Sequence, residues 1–390
     1  MSASRPTSEK PSTNTQLGDA LPSIRTAVPG PESRSWVDRL AKRECPAITA
    51  RRARRANMIG AADTDPIVWD NAHGTNVIDA DGNRFVDLTA GFGVASVGHG
   101  HPDVVAAQQQ QGARLLHAMG DAFPDPKRIA LMERLCALTG MDRVILGSSG
   151  SDAVEAALKT ARIATGKDHV LTFQGGYHGL SLGALPVSDY KHETFRKPFA
   201  GQLGAHVQTA PFSGAIPDLK DVGAVIVEPI QGRGGIRMPE KGWLSKLADA
   251  AKDAGAVLIF DEIYTGCGRT GSWFRFVEEG VKPDLVCLGK GMAGGFPISA
   301  CVGTANVMDA WGASQGEAVH TQTFLGNPVG SAMALACLDV IASVLPDIGI
   351  KESWIRQHCE QRDIGLRGAG LLLGMELPNP MGICRQLLQR

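Results

Sequence analysis

The chain has 390 residues, of which 39 are basic and 40 acidic, so its formal net charge is −1. This length is sufficient for two or three domains with hydrophobic cores, and the near-zero charge excludes a protein that binds nucleic acid through bulk positive charge. Glycine accounts for 47 of the 390 residues, which is more than its usual share of about 7% of the residues in a protein. They predict many tight loops in which the backbone approaches a ligand or another element.

The eight cysteines are widely spaced and form no Cys-x-x-Cys pair, so they indicate neither a zinc site nor a disulfide framework. We expect reduced thiols in a reducing compartment. We also expect no membrane-spanning segment and no secretory signal. These features together predict a cytoplasmic protein that has neither a membrane nor a nucleic acid as partner.

The first ninety residues divide into two predicted parts. Residues 1–35 are dominated by Ser, Thr, Pro and Gly, which predicts a flexible N-terminal arm. Residues 36–90 are predicted to form an N-terminal segment and part of a small domain. Their basic cluster at 51–55 is interpreted as a solvated or subunit-contacting face rather than a nucleic-acid site. The alternating segment 67–88, with its Asp81-Gly82 dipeptide, predicts a β-hairpin.

From residue 91 onwards, short apolar runs alternate with helical patterns such as 152–164 and 243–254. This alternation predicts a large, doubly wound α/β domain over residues 91–325. Continuous β-branched runs are typical of strands that are buried on both faces of a parallel sheet. The predicted strands are 143–146, 170–173, 224–228, 256–261, 284–288 and 299–302.

Several loops after these strands carry residues that could bind a ligand. Residues 147–152 (GSSGSD) precede a helix, where small residues expose backbone amides to a phosphate, although a purely structural loop is the alternative. Tyr177 and His178, held between glycines, could stack on and contact a flat heterocycle, although ordinary packing is commoner for such a pair. Glu228 ends a buried strand, where it is either a site residue or a satisfied structural carboxylate.

Asp261 closes one apolar strand and Lys290 follows another, between two glycines. We expect both residues at the same edge of the sheet. A partly desolvated lysine amine can form a Schiff base. A nearby carboxylate is what a pyridine nitrogen requires if it is to stay protonated as an electron sink.

Nine stretches between residues 66 and 377 together resemble the class III pyridoxal-phosphate-dependent aminotransferases, the ornithine/ω-amino acid group. They include SSGSDAVEAALKTAR, YHG, VEPIQG, FDEIYTGCGRTG, LGKGMAGGFP, HTQTFLGNP and LRGAGLLLGMEL, in the order of the family. The resemblance implies fold type I, with a large, mostly parallel, doubly wound sheet and a smaller α+β domain. It also implies pyridoxal phosphate as cofactor and a homodimer with the active site at its interface.

The resemblance further implies ping-pong transfer of an amino group from an amino acid or amine to a 2-keto acid. In this chemistry Lys290 forms the Schiff base with the cofactor and then moves a proton, while Asp261 pairs with the pyridinium nitrogen. The other implied contacts are Tyr177 and Ile263 on the two faces of the ring, Ser149, Gly150 and Ser151 at the phosphate, His178 and Glu228 beside the cofactor, Thr323 at the phosphate in the neighbouring subunit, and Arg367 at a substrate carboxylate.

Four positions depart from the family pattern: Leu180, Arg233, Tyr264 and Cys267 replace arginine, glutamate, glutamine and phenylalanine, respectively. In ornithine- and GABA-type members that glutamate masks the arginine that matches Arg367. Arg233 cannot do so, because like charges repel. We therefore disfavour ornithine and GABA handled by that switch, and expect Arg233 and Arg367 to favour an anionic substrate. The alternative is that Arg233 faces solvent.

After LLLGMELPNP the family normally adds a helix and further strands, whereas this chain ends at MGICRQLLQR. Residues 326–390 are therefore expected to form a linking helix and an incomplete C-terminal part of the small domain. The sequence leaves three alternatives open: a fragment, a mispredicted frame or a divergent short enzyme. For the activity, a racemase, an aminomutase or a decarboxylase of the same family is an alternative, as is a truncated non-catalytic relative.

Overall fold

The computed structural model describes residues 18–48, 66–120, 122–204, 206–313 and 316–390. They divide into two compact units. The smaller unit takes its described residues from Met1–Ala90, Gly98–Gly100 and Asn379–Arg390, and the larger takes them from Gly91–Val97 and His101–Pro378. In the described ranges the longer helices are α1 (Pro31–Ala41), α2 (Pro102–Arg114), α3 (Pro126–Thr139), α4 (Gly150–Thr165), α5 (Trp243–Ala254), α6 (Pro328–Val344), α7 (Ile348–Glu360) and α8 (Pro380–Leu388). Single-turn helices lie at Ala90–Gly93, His192–Phe195, Arg275–Glu278 and Ala305–Met308.

An antiparallel sheet lies in the smaller unit and consists of β1 (Trp69–His73), β2 (Asn76–Asp79) and β3 (Arg84–Val86). The predicted hairpin is confirmed, because β2 and β3 pair across Asp81-Gly82. Gly82 has a φ of 79°, in the left-handed region that glycine adopts at little cost. The carboxylate of Asp81 also accepts hydrogen bonds from two amides in the first turn of α1 and so caps that helix.

The flexible arm predicted for residues 1–35 stays a prediction, but its described part, residues 18–35, is hydrogen-bonded to the hairpin. The buried side chain of Asn76 accepts hydrogen bonds from the amides of two residues in this segment, and that of Asn83 accepts two more. The backbone amides of this segment are thus hydrogen-bonded to side chains of the hairpin. The low apolar content of the segment does not predict these bonds. Residues 1–17 and the basic cluster at 51–55 lie outside the described residues.

The larger unit contains a seven-stranded sheet with the order β4-β10-β9-β8-β7-β5-β6. Pairing from β9 through β8, β7 and β5 to β6 is parallel, whereas β10 is antiparallel to both of its neighbours. All six predicted strands are present, and the mostly parallel, helix-covered sheet confirms the α/β prediction. The strands are β4 (Arg143–Gly147), β5 (His169–Phe173), β6 (Val207–Ala210), β7 (Val222–Val227), β8 (Val257–Asp261), β9 (Leu285–Leu288) and β10 (Ser299–Gly303).

The core of the larger unit lies on both faces of this sheet. Strand β8 shows why, since Leu258 and Phe260 belong to one apolar cluster and Val257 and Ile259 belong to the other. Successive side chains of a strand point to opposite faces, so an apolar run of this kind is stable only when both faces are covered. Strand β6 was missed because it is a short edge strand with alternating polar residues.

Helices α6 and α7 follow each other closely, so that Pro328–Glu360 could cross a membrane by length and mean hydropathy alone. The sequence predicts no membrane-spanning segment. In α6, Ala334, Cys337 and Leu338 are fully buried, as in a core helix of a globular unit.

After α7 the chain forms the antiparallel pair β11 (Gly365–Ala369) and β12 (Leu372–Glu376). This pair, like α6 and α7, is part of the larger unit. The predicted domain boundaries at residues 36, 91 and 326 stay predictions.

Candidate active site

A cavity of about 240 Å³ lies in the larger unit, at the carboxyl ends of neighbouring parallel strands. Asp261 is the last residue of β8, Glu228 follows β7, Tyr177 follows β5, and Lys290 follows β9. In α/β sheets this edge is where ligands bind. The cavity is lined by Phe92, Ser149, Gly150, Ser151, Tyr177, His178, Gly179, Glu228, Arg233, Asp261, Ile263, Tyr264 and Lys290.

Lys290 brings an amine into this cavity on a strained backbone. Its φ of 39° lies in the left-handed region, which a residue with a side chain adopts only when its surroundings impose it. The amine lies 4.2 Å from the centroid of the Tyr264 ring. Burial lowers the pKa of Lys290, the charges of Asp261 and Glu228 oppose that shift, and the charge of Arg233 adds to it. The shift favours the neutral amine, which is the nucleophilic form.

Asp261 is held by two hydrogen bonds beneath the cavity. Its Oδ2 lies 2.7 Å from Nδ1 of His178, and its Oδ1 accepts the amide of Ile263 at 3.1 Å. Burial lowers the pKa of His178, but the hydrogen bond to Asp261 and the charges of Asp261 and Glu228 outweigh burial, so the net shift is upward. The hydrogen bond to His178 fixes the position of the Asp261 carboxylate, and a carboxylate in this place can pair with a cationic ring nitrogen.

Glu228 connects two loops of the site. One of its carboxylate oxygens accepts the amide of Tyr177 at 2.8 Å, and the other accepts the amide of Gly232 at 3.0 Å. Burial raises the pKa of Glu228 to about 7, against the lowering effect of His178. Glu228 therefore fixes the loop that carries Tyr177 and the loop that carries Arg233.

The N-terminus of α4 forms the opposite wall. The Ser149 hydroxyl accepts the amide of Asp152, whose carboxylate accepts the amides of Ser148 and Ser149. The next two amides, those of Gly150 and Ser151, have no hydrogen-bond acceptor in the described part of the chain. Free amides at the positive end of a helix dipole are suited to a phosphate.

Glycine is required sterically at this wall. A Cβ on Gly150 would lie 2.9 Å from Cδ1 of Ile263, and a Cβ on Gly179 would overlap the hydroxyl of Ser151. The glycines therefore allow the N-terminus of α4 to lie directly against Ile263 and the loop that follows Tyr177. The cavity beside them contains a buried carboxylate and free amides, which are the groups that a flat, phosphorylated pyridine requires.

Two predicted site residues lie outside the cavity. Thr323 is exposed in the loop before α6. Arg367 is exposed on β11, where its guanidinium donates to Glu376 at 2.8 Å and to the carbonyl of Gly235 at 2.6 Å. The structure therefore brings ten of the twelve predicted residues to one cavity. The roles of Thr323 and Arg367 stay predictions.

Three cavity residues were not among the predicted site residues: Phe92, Gly179 and Tyr264. Gly179 follows directly on the Tyr-His pair and Tyr264 on Ile263, so proximity to predicted residues was a usable signal for both. Phe92 lies in the glycine-rich segment 90–93, which carries no chemical pattern of its own.

The family model described as Aminotransferase class-III matches residues 59–390. The chain belongs to the class III aminotransferases. The acetylornithine aminotransferase of Methanosarcina mazei is 35% identical over 337 residues, which are 81% of this chain and 80% of that protein. The acetylornithine aminotransferase of Streptomyces coelicolor is 37% identical over 318 residues, 79% of this chain and 77% of that protein.

Solved structures agree with this membership. An ornithine aminotransferase from Toxoplasma gondii is 28% identical with a TM-score of 0.75, covering 92% of this chain and 86% of that one. A pyridoxal-phosphate-bound amine transaminase from an uncultivated Pseudomonas species is 29% identical with a TM-score of 0.71, covering 79% of each chain. The predicted family, fold type, cofactor and activity are thereby confirmed. This class III aminotransferase uses pyridoxal phosphate to transfer amino groups.

Proposed function

We propose that Lys290 is the residue through which this aminotransferase binds its cofactor covalently and moves the proton that the reaction requires. The observation that supports this role is a partly buried amine of lowered pKa in a cavity that also contains the Asp261–His178 pair. A neutral amine can attack a carbonyl and, once free again, can accept a proton.

The remaining residues would hold the cofactor. The free amides of Gly150 and Ser151 are suited to its phosphate, and Tyr177 and Ile263 offer flat and apolar surfaces to its ring. Asp261, ionised and hydrogen-bonded to His178, would keep a proton on the ring nitrogen. When bound, pyridoxal phosphate supplies the electron sink that makes the Cα proton of an amino acid removable.

Lys290 would then take the proton from the carbon that bears the amino group of the donor and return it on the cofactor side. The same cavity would receive a 2-keto acid in the second half-reaction. Because both substrates use one site in turn, we expect ping-pong kinetics. N-acetylornithine with 2-oxoglutarate is the first substrate pair to examine, because the relatives in Methanosarcina mazei and Streptomyces coelicolor are acetylornithine aminotransferases.

The test of Lys290 is chemical trapping. The purified chain is incubated with pyridoxal phosphate, reduced with borohydride, digested and analysed by mass spectrometry. We expect the cofactor mass on the peptide that contains Lys290, no label in Lys290→Ala, and normal labelling in Lys246→Ala, which changes an exposed lysine on α5. Labelling of a different lysine in the unmodified chain, or a label that persists in Lys290→Ala, would contradict the proposal.

We also propose that the active enzyme is a homodimer in which Thr323 reaches the phosphate of the neighbouring subunit's cofactor. Thr323 precedes Phe324, whose ring contacts His117 at a centroid distance of 5.6 Å. Around this contact Leu116, Met119 and Phe324 are each more than half exposed. Clustered exposed apolar side chains favour coverage by a partner, here a second copy of the chain.

Subunit complementation tests this arrangement. Lys290→Ala and Thr323→Ala are each expected to impair the enzyme as homodimers. In a mixed dimer, one site combines an intact Lys290 with the intact Thr323 of the other subunit, so mixing should restore activity above either parent. No gain on mixing, with mixed dimers demonstrated by mass spectrometry, would rule out a shared site.

We further propose that the enzyme is cytoplasmic. All eight of its cysteines are free thiols, which suits a reducing compartment. Titration of eight thiols in the denatured, freshly isolated protein would support this location, whereas fewer thiols would indicate oxidation.

A further inference from the structure

Arg233 lies beside three aromatic rings inside the candidate active site. Its guanidinium carbon lies 4.2 Å from the ring centroid of Tyr177, 5.5 Å from that of Tyr190 and 5.6 Å from that of Phe92. It lines the same cavity as Lys290. The side chain is therefore not turned towards bulk solvent, and the rings hold it by cation–π contacts.

The guanidinium of Arg233 has no hydrogen-bond acceptor in the part of the chain that the structure describes. Among the described residues Arg233 forms no ion pair, and none of its five N–H donors makes a hydrogen bond. The two carboxylates in the cavity are already engaged, Glu228 by two backbone amides and Asp261 by His178 and the amide of Ile263. A partly buried cation with unused planar donors favours an anion that arrives from outside the chain.

We propose that Arg233 is the substrate-carboxylate receptor of this site, and that it makes dicarboxylic amino donors and keto acids the preferred substrates over diamines. The planar donors of a guanidinium match the two oxygens of a carboxylate, which gives orientation as well as affinity. The surrounding rings restrict the side chain and lessen the ordering that binding requires. A substrate with a distal ammonium group would meet a like charge at Arg233.

This inference rests on the proposed function, because the carboxylate would be bound beside Lys290. Glutarate is a suitable probe, since it carries two carboxylates and cannot donate or accept an amino group. Its dissociation constant is measured by calorimetry with the pyridoxal-phosphate-loaded enzyme. The cationic counterpart is 1,5-bis(trimethylammonio)pentane, which has the same five-carbon chain and no amine that could react with the cofactor. The visible absorbance of the cofactor is recorded for every variant.

We expect Arg233→Gln to weaken glutarate binding at least about tenfold, as for loss of a charged hydrogen-bonding partner. Arg233→Lys should restore part of the affinity, because it keeps the charge but not the planar donors. The matched control is Arg237→Gln in the same loop, which lies outside the cavity. The carbonyl of Gln174 to which Arg237 donates keeps its hydrogen bond from Gln231, so this control should bind glutarate normally.

The outcomes separate the two proposals. Unchanged glutarate affinity in Arg233→Gln, or a loss that occurs only in Arg367→Gln, would overturn the assignment of Arg233 while the cofactor absorbance left the role of Lys290 intact. Tighter binding of 1,5-bis(trimethylammonio)pentane than of glutarate by the unmodified enzyme would overturn the substrate class. Absence of the cofactor absorbance from the unmodified enzyme would instead count against the proposed role of Lys290.

Discussion

Nδ1 of His178 lies 2.7 Å from Oδ2 of Asp261, and both side chains are almost completely buried. Isolated buried charges are costly, but a close hydrogen-bonded pair lowers that cost for both partners. The upward shift of the pKa of His178 reflects this pairing, which outweighs the effect of burial. His178 therefore fixes the position of the negatively charged Asp261 carboxylate at the base of the cavity.

Replacing His178 tests the importance of this charge. We expect His178→Ala to lower turnover about 10–100-fold, because a hydrogen bond to a charged group contributes about 1.5–3 kcal/mol. His178→Asn keeps a donor and should recover part of the loss. Steady-state kinetics and a pH titration of the cofactor absorbance measure both effects. The control is His169→Ala, an exposed histidine that stacks on His206; equal losses in the control would show that the effect is not specific to the pair.

A methyl group at Gly179 should disturb the wall that faces the phosphate. The φ of Gly179 is 117°, and its Cβ would overlap the Ser151 hydroxyl. We expect Gly179→Ala to lose about 1–3 kcal/mol of unfolding free energy through overpacking and to bind pyridoxal phosphate more weakly. Denaturant unfolding and absorbance titration measure these effects. Gly201→Ala, which has open space around its Cβ, should resemble the unmodified protein; native behaviour of Gly179→Ala would refute the steric argument.

Glu262 should make the stability of the protein depend on pH. Burial raises its pKa to about 7 from an ordinary 4.5, although its oxygens accept hydrogen bonds from Thr265 and the amide of Phe276. As the pH rises from 4.5 to about 7, Glu262 loses its proton in the unfolded chain but keeps it in the folded protein. The free energy of unfolding is therefore highest at low pH and falls as the pH rises to about 7. The integrated loss is on the order of 3 kcal/mol.

Glu262→Gln removes this titration. We expect the variant to match the unmodified protein near pH 4.5 and to exceed it in melting temperature at pH 7.5. Glu240→Gln, an exposed change, is the control. A constant difference between Glu262→Gln and the unmodified protein across this pH range would exclude Glu262 as the titrating group.

Lys290 should reduce the stability of the protein without cofactor. Burial lowers its pKa, so the folded protein disfavours the charged amine that the unfolded chain carries up to its ordinary pKa of 10.5. Stability therefore rises with pH in the interval below 10.5. We expect Lys290→Met to raise the melting temperature of the cofactor-free protein at pH 7, by a margin that shrinks towards pH 10. Lys246→Met should have little effect, and a lower melting temperature for Lys290→Met would contradict this account.

Local sequence patterns are sufficient to predict the strands of the large sheet and most of the residues around the cavity. Apolar runs such as that of β8 and small residues such as those before α4 are local patterns, and local patterns follow from side-chain burial and backbone freedom. Because parallel strands present their carboxyl ends at one edge, Lys290 and Asp261 could be placed together before the structure was known.

The contacts between residues that are distant in sequence could not be predicted from local patterns and are visible only in the folded structure. The partner of Asp261 is 83 residues away, Arg233 turns towards three aromatic rings instead of solvent, and Arg367 pairs with Glu376 outside the cavity. Likewise, backbone amides of segment 18–35 donate hydrogen bonds to side chains of a hairpin that lies 58 residues later in the chain. Such contacts depend on strand order and loop packing, which sum many weak interactions across the chain and leave no periodic pattern in the sequence.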